Sequence, residues 1–307
     1  MHSSVSRVTW AQAYPTRPVR LIVPVAPAGD ITARLMGQWL SERLGQPFII
    51  ENRPGAATNI ATEAVVRAAA DGYTLLLVHS SNAMNATLYV KLNFNFIRDI
   101  APVASIIVVP NVMLVHPSVP AKTVAEFIAY AKANPGKINF SSGGIGGPSH
   151  LAGELFKAMA GVNLVHVPYR GGGPAVNDLL GGQVQVYFAS TPASIEYIKA
   201  GTLRALAVAS ATRSEMLPDI PTVGEFVPGY EAPTWYGLGA PKNTPAEIVD
   251  KLNNEINAGL ADPKLRVRLA DLGGTVMMGS PADFGKLIAD DTEKWAKVIR
   301  SANIKPE

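Results

Sequence analysis

The sequence predicts an α/β fold of two lobes, with mixed sheets flanked by helices and a cleft between the lobes. Three observations carry this. Short β-branched runs alternate with amphipathic helical stretches, the mark of strand–helix–strand units. A glycine-rich strand-to-helix junction is used twice, at Leu21 to Asp30 and at Ile138 to His150. Proline and glycine punctuate nearly every junction, so the loops are short and ordered and no long linker divides the chain. Each glycine-rich junction reads as a buried strand, a small-residue loop and a helix N-terminus. Such an end leaves backbone N–H groups unpaired, and the helix dipole adds partial positive charge. Two of these loops facing each other would clamp a small carboxylate.

The elements follow in order. Val19 to Val25 is a β-branched run suited to a buried parallel strand. The helix after it carries Ile31, Leu35 and Trp39 on one stripe, with Met36, Leu40 and Leu44 beside it. Asp30 sits where an N-cap belongs, Gly45 lies just past the end, and Pro47 is a stop. Phe48 to Ile50 is a strand, Asn59 to Ala70 a helix closed by Asp71-Gly72, and Thr74 to Val78 a strand. Val112 to Val115 is a strand, Thr123 to Ala133 a helix, and Ile138 to Phe140 a strand. Leu151, Leu155 and Met159 stripe a helix that ends at Gly161. Leu164 to Pro168 is a strand, followed by Tyr169-Arg170 and three glycines. Val184 to Phe188 and Leu203 to Val208 complete the second sheet. Ala246 to Leu260, Pro263 to Leu272 and Pro281 to Ile299 are helical. The expected crossings between lobes lie near Val115-His116-Pro117 and near Pro228-Gly229-Tyr230. That makes residues 14–115 with 231–307 a discontinuous first lobe and 116–230 the second.

Composition narrows the function. With 307 residues, 48% hydrophobic and 17% charged, the chain buries large cores. The 27 basic and 24 acidic residues give a formal charge of +3, without the clustered lysines and arginines of a nucleic-acid footprint. There are no cysteines, which removes disulfides, thiolate metal sites and thiol catalysis. No apolar run approaches the ~18 residues that span a bilayer. Ala11-Gln12-Ala13 fits a signal-peptidase site just before Tyr14-Pro15, yet Met1 to Trp10 is too polar for a signal core. A lost leader or a frayed terminus would each account for this.

Several segments together carry a family likeness: Tyr14-Pro15-Thr16-Arg17-Pro18-Val19-Arg20, Glu51-Asn52-Arg53-Pro54-Gly55-Ala56, Asp71-Gly72-Tyr73-Thr74, Pro148-Ser149-His150-Leu151-Ala152-Gly153-Glu154, His166-Val167-Pro168-Tyr169-Arg170-Gly171-Gly172 and Leu217-Pro218-Asp219-Ile220-Pro221-Thr222. From about Tyr14 to Glu307 the chain resembles the Bug family, the solute receptors of tripartite tricarboxylate transporters. The resemblance implies a two-lobed periplasmic binding protein fold that closes on a small organic carboxylate. It implies periplasmic location, integral membrane transporter subunits as partners, and neither cofactor, metal nor catalysis. A monomer is expected. One ligand carboxylate would be held by backbone groups of the two glycine-rich loops, here Pro27, Ala28, Gly29 and Asp30, and the stretch from Ser142 through Gly144, Gly146 and Gly147 to Ser149. The chain departs from the family in three places. Its first loop is about two residues short. Ala57-Thr58 stand where two glycines are usual. Ala189-Ser190 replace an Asp-Asn pair, which argues against an amino-acid ligand.

Each candidate has a plainer reading. Asp30 is expected to cap its helix and to pair with Arg34 one turn on. Four glycines between Ser142 and Pro148 exceed what a turn needs, since each costs ~1 kcal/mol relative to alanine; close approach of a ligand is the better account. Ser149 lies in the first helical turn, where its hydroxyl could reach an anion. His150 next to Ser149 cannot be its base, because adjacent helical residues point about 100° apart; it is expected to pack or hydrogen-bond. His79, His116 and His166 are scattered, without metal-ligand spacing. Tyr169 and Arg170 could line the cleft, with Arg170 clamping a second carboxylate, or be an exposed loop mouth. Ser80, Ser81 and Asn82, and likewise Ser190 and Thr191, follow the carboxyl ends of buried strands, where ligands of open α/β sheets sit. Trp235 and Tyr236 read as hinge or core packing. The rival functions are a hydrolase or isomerase acting on a carboxylated substrate in the same cleft, and a ligand sensor for a signalling partner.

Overall fold

A computed structural model describes residues 14–25 and 28–306. The candidate Pro27 and the residues before Tyr14 therefore lie outside the described residues. The chain begins with Val19–Val23 (β1), Ala28–Leu44 (α1), Phe48–Asn52 (β2), Asn59–Val66 (α2), Thr74–His79 (β3), Ser80–Leu88 (α3), Phe96–Asp99 (α4) and Ile100–Val109 (β4). It continues through Asn111–Val115 (β5), Val124–Ala133 (α5), Ile138–Ser142 (β6), Pro148–Ala160 (α6), Leu164–Pro168 (β7), Gly172–Leu180 (α7), Val186–Ser190 (β8), Thr191–Lys199 (α8) and Arg204–Val208 (β9). It closes with Thr234–Pro241 (β10), Ala246–Ala261 (α9), Pro263–Ala270 (α10), Thr275–Val276 (β11) and Pro281–Ser301 (α11).

Two mixed sheets result. The first runs β11-β4-β10-β3-β1-β2 and the second β7-β6-β8-β5-β9. In the first, β1 pairs in parallel with β2 and β3, and β10 is antiparallel to both β3 and β4. In the second, β6 is parallel to β7 and β8, and β5 is antiparallel to β8 and β9. Alternation along the strands sorts the core. Leu21 and Val23 point into one cluster with Met36 and Leu40 of α1 and Leu252 and Ile256 of α9. Ile22, Leu76 and Val78 point to the other face, against Val65 of α2 and Phe284 of α11. The second sheet repeats the plan: Phe140, Val186 and Phe188 meet Phe127 and Phe156 on one side, and Val112 and Leu114 meet Val176 and Leu179 on the other.

The lobes share material. Met84 and Leu88 of α3, with Trp295, Val298 and Ile299 of α11, belong to the same buried cluster as the second sheet's Phe140 and Phe156. The crossings differ from those expected. Asn111–Val115 hydrogen-bonds within the second sheet, so the chain changes sheets at Pro110, ahead of Val115. It returns at Ala232-Pro233, where β10 rejoins the first sheet. The two crossing strands are tied together: Asn111 Nδ2 donates to Ala232 O (2.8 Å) and Ala232 N to Ala209 O (2.7 Å).

Three further expectations are corrected. β4 and β10 are full strands that the pattern did not separate from loops. The residues after β3 and after β8 are helical rather than loop, because α3 and α8 start at once at Ser80 and Thr191. And α1 begins at Ala28, which puts Asp30 inside its first turn instead of at the cap.

Candidate functional site

A cleft of about 510 Å³ opens between the lobes. On the first lobe it is walled by Pro24, Val25, Ser81, Tyr89 and the turn Gly55, Ala56, Ala57 and Thr58; on the second by Gly143, Gly144, Ile145, Gly146 and Gly147. No lining side chain carries a charge, and backbone forms much of the wall. The second wall leads into α6, with Pro148 at its first turn and Gly147 as a cap that has no side chain to close it. The positive end of the α6 dipole therefore faces the cleft.

The glycine loop is not bare in the way the sequence suggests. Gly143 N donates to Ser149 Oγ (3.1 Å), Gly144 N to Ser142 Oγ (3.3 Å), Gly147 N to Gly144 O (3.3 Å) and Gly146 N to His150 Nδ1 (2.9 Å). The first three sit at the long end of hydrogen-bond range, where an arriving anion competes well. Ser142 and Ser149 thus stand behind the loop and hold it. Gly144, Gly146 and Gly147 line the cleft directly.

The first-lobe candidates divide. Ser81 lines the cleft, with its amide on His79 Nδ1 (3.1 Å). Ser80 is fully buried, and its hydroxyl has no partner among the described residues. Asn82 is wired into the scaffold: its Nδ2 donates to Thr58 Oγ1 (3.0 Å) and Thr62 Oγ1 (2.8 Å), and its Oδ1 accepts from His79 N (2.8 Å). Ala28 stands at the start of α1, and Gly29 packs beneath Val25, Leu77 and Tyr236. Asp30 accepts from Arg34 Nε (2.8 Å) and Asn52 Nδ2 (2.8 Å). The Arg34 hydrogen bond holds its carboxyl below the ordinary aspartate value. It points at these partners and does not line the cleft.

Of the remaining second-lobe candidates, Tyr169 N donates to Ser142 O and its hydroxyl to Asp178 Oδ2 (2.6 Å); burial and that carboxylate push the phenol up to about 12. Arg170 is exposed on the loop next door and makes no ion pair among the described residues. Ser190 is half-buried at the start of α8. Thr191 is fully buried, donating through N and Oγ1 to Pro110 O (3.1 and 2.8 Å), so it secures the crossing rather than facing the cleft.

The turn at 55–58 is the part that site reasoning from sequence missed. Ala56, Ala57 and Thr58 all have positive φ (44°, 51° and 83°). That backbone is unfavourable for residues with a Cβ, by roughly 1–2 kcal/mol each. Asn85 Nδ2, donating to Ala57 O, and Asn82, donating to Thr58 Oγ1, hold it in place. A signal was present: the family resemblance expects two glycines where Ala57-Thr58 stand, and glycine is what a left-handed turn asks for.

His166 is not a lone histidine. Its ring stacks on His150, centroids 3.6 Å apart and planes within 8°, and its Nε2 bonds Ser142 Oγ at 2.6 Å. Burial above all pushes His166 down to about 3. Burial alone pushes His79 down to about 4. The native state therefore refuses protons that the unfolded chain accepts below its ordinary value of 6.5. Stability is full above that pH and falls as the solution is acidified toward the native values, for His79 by about 1.4 kcal/mol per pH unit. Urea midpoints should drop between about pH 7 and pH 5. His79→Asn, which keeps the helix cap and removes the titration, should lessen the slope. Equal midpoints at the two pH values would count against buried neutral histidines.

Among the described residues no cluster of three or more His, Cys, Asp or Glu could hold a metal, and no helix is long and apolar enough to cross a membrane. Two α/β lobes joined by two crossings, with a backbone-walled cleft between them, define a solute-binding receptor. The chain belongs to the tripartite tricarboxylate transporter family receptors, whose profile matches residues 32–304. It is 38% identical over 300 residues to Protein BugT of Bordetella pertussis, spanning 96% of this chain and 92% of that protein. Among solved structures it is similar to R. palustris Rpa4515 with adipate (TM-score 0.85, 38% identity, 96% of this chain and 100% of the other). It is also similar to MatC from Rhodopseudomonas palustris with bound malate (TM-score 0.79, 32% identity, 93% and 100%). The family is one of solute receptors, not enzymes.

Proposed function

We propose that the cleft captures a small organic diacid in the periplasm and presents it, with the lobes closed, to the membrane subunits of a tripartite transporter. The observation that carries this is the cleft wall itself: an uncharged, backbone-rich surface from both lobes, with the positive end of α6 aimed into it. Such a site favours an anion through dipoles rather than through a formal charge. Bound adipate and malate in the two relatives above support the ligand class. Ala28, Gly29, Ser81, Gly144, Gly146 and Gly147 are the proposed contacts, joined by the 55–58 turn and Tyr89. Arg170, exposed on the loop after Tyr169, is the proposed partner of a second carboxylate.

One contact tempts an enzymatic reading, the 2.6 Å bond between Ser142 Oγ and His166 Nε2. Ser142 is 0% exposed and lies behind the glycine loop, so its hydroxyl cannot reach a carbonyl in the cleft. We read the pair as scaffold and expect binding without turnover. Calorimetric titration with adipate, malate, an aromatic acid and an amino acid tests this. Saturable binding of at least one acid, recovered unchanged by mass spectrometry, is the expected result. A panel with no binding, or a new product, would overturn it.

A further inference from the structure

Behind the glycine loop lies a polar group to which carboxylate capture assigns no part. His150, in the first turn of α6, is buried and accepts the Gly146 N–H on Nδ1 at 2.9 Å. Its ring lies flat on that of His166, which in turn stacks on Phe140 at 4.8 Å. His166 holds Ser142, and Ser142 Oγ bridges both the amide and the carbonyl of Gly144 (3.3 and 3.2 Å). Two of this loop's four cleft-lining glycines are thus fixed, directly or through one hydroxyl, by one imidazole stack.

We infer that His150 and His166 are positioning residues of the cleft, a stacked imidazole pair that sets the shape of the glycine loop. The inference rests on the cleft being the binding site. The tautomer follows from the contacts. An Nδ1 that accepts from Gly146 carries no proton, so in neutral His150 the hydrogen is on Nε2, the atom that faces Glu154 Oε1 at 3.7 Å. On α6, Glu154 stands at that Nε2 and is paired in turn with Lys157 (2.8 Å), whose ammonium lies 5.6 Å over the Phe140 ring. On β7, His166 presents a parallel ring. On β6, Ser142 and Phe140 are uncharged. α3 contributes the apolar Leu88 against Gly146, and the charged residues of α11, including Asp290, Glu293 and Lys294, flank Leu155 instead.

The test pairs two variants with a ligand-free readout. His150→Asn places an amide oxygen where Nδ1 was and keeps the acceptor; His150→Phe keeps a stacked ring and removes the acceptor. With adipate as probe at neutral pH, His150→Asn should bind like wild type, and His150→Phe about tenfold more weakly, the worth of one buried hydrogen bond. Long-range ¹H–¹⁵N spectra of the histidine rings should show an unprotonated His150 Nδ1 near neutrality, with the Gly146 amide resonance displaced in His150→Phe and close to its wild-type position in His150→Asn. A Phe variant that binds like wild type, or a protonated Nδ1 near neutrality, overturns the inference. If no acid binds while the ring spectra and the Gly146 shift come out as stated, the carboxylate reading fails and the loop latch stands.

Discussion

Gly146→Ala is expected to weaken ligand binding by at least about tenfold and to cost about 2–3 kcal/mol of folding stability. Two effects add. Gly146 has φ +73°, a left-handed backbone that costs an alanine about 1 kcal/mol. A Cβ built there falls 2.1 Å from Leu88 Cδ2 and 3.4 Å from its Cγ. Leu88 cannot step aside freely, being 3% exposed in the cluster that joins α3 to the second lobe. Something must give, and either choice disturbs the cleft: α3 carries Ser81, and the loop carries the amide held by His150. Gly161→Ala is the matched control. It has φ +64° and open space around its Cβ, so it pays the backbone strain alone, far from the cleft. Urea titration and calorimetry with a diacid on both variants separate the effects. Equal binding by Gly146→Ala and Gly161→Ala would mean that the loop's close approach to α3 has no bearing on the ligand.

The sequence was legible where one physical cue dominated. α1 and α11 announce themselves by an apolar stripe, and the glycine loop before α6 by four glycines closed by Pro148. The site was half legible for the same reason. Gly144, Gly146 and Gly147 mark a close backbone approach, but their partners do not: His150 and His166 lie on different elements and pair only once β7 is laid beside β6. Asn82 reads as a ligand or loop residue, whereas it braces, together with Asn85, a turn more than twenty positions earlier in the chain. α3 was hidden because its first turn, Ser80-Ser81-Asn82, looks like loop; the cap is His79, whose Nδ1 takes the Ser81 amide in place of the usual Ser, Thr, Asp or Asn. Asp30 misled in the opposite direction. It has the chemistry of a cap, but α1 starts at Ala28, and the carboxylate spends itself on Arg34 and Asn52.

β10 escaped because Gly237 and Gly239 break its apolar pattern, and the packing around Gly237 leaves no room for a side chain. Gly237→Ala is expected to destabilise the fold by about 4 kcal/mol, and to reduce soluble yield accordingly. The strand is fully buried between β3 and β4, with a register shift against β4 at this residue. A Cβ at Gly237 lies 2.2 Å from Phe284 Cζ and 2.6 Å from the backbone oxygen of Ala104. Phe284 is fully buried, edge-on to Trp235 at 5.7 Å, so it has no rotamer to escape into without opening that contact. Adding Phe284→Leu to Gly237→Ala should restore part of the loss, because the ring contact is relieved while the clash with the Ala104 carbonyl stays. A double-mutant cycle in urea reads the coupling directly, and a coupling of at least about 1 kcal/mol is expected. A Gly237→Ala protein within about 1 kcal/mol of wild type would show that the central strand has room for a side chain, and the account of why this strand carries glycine would be wrong.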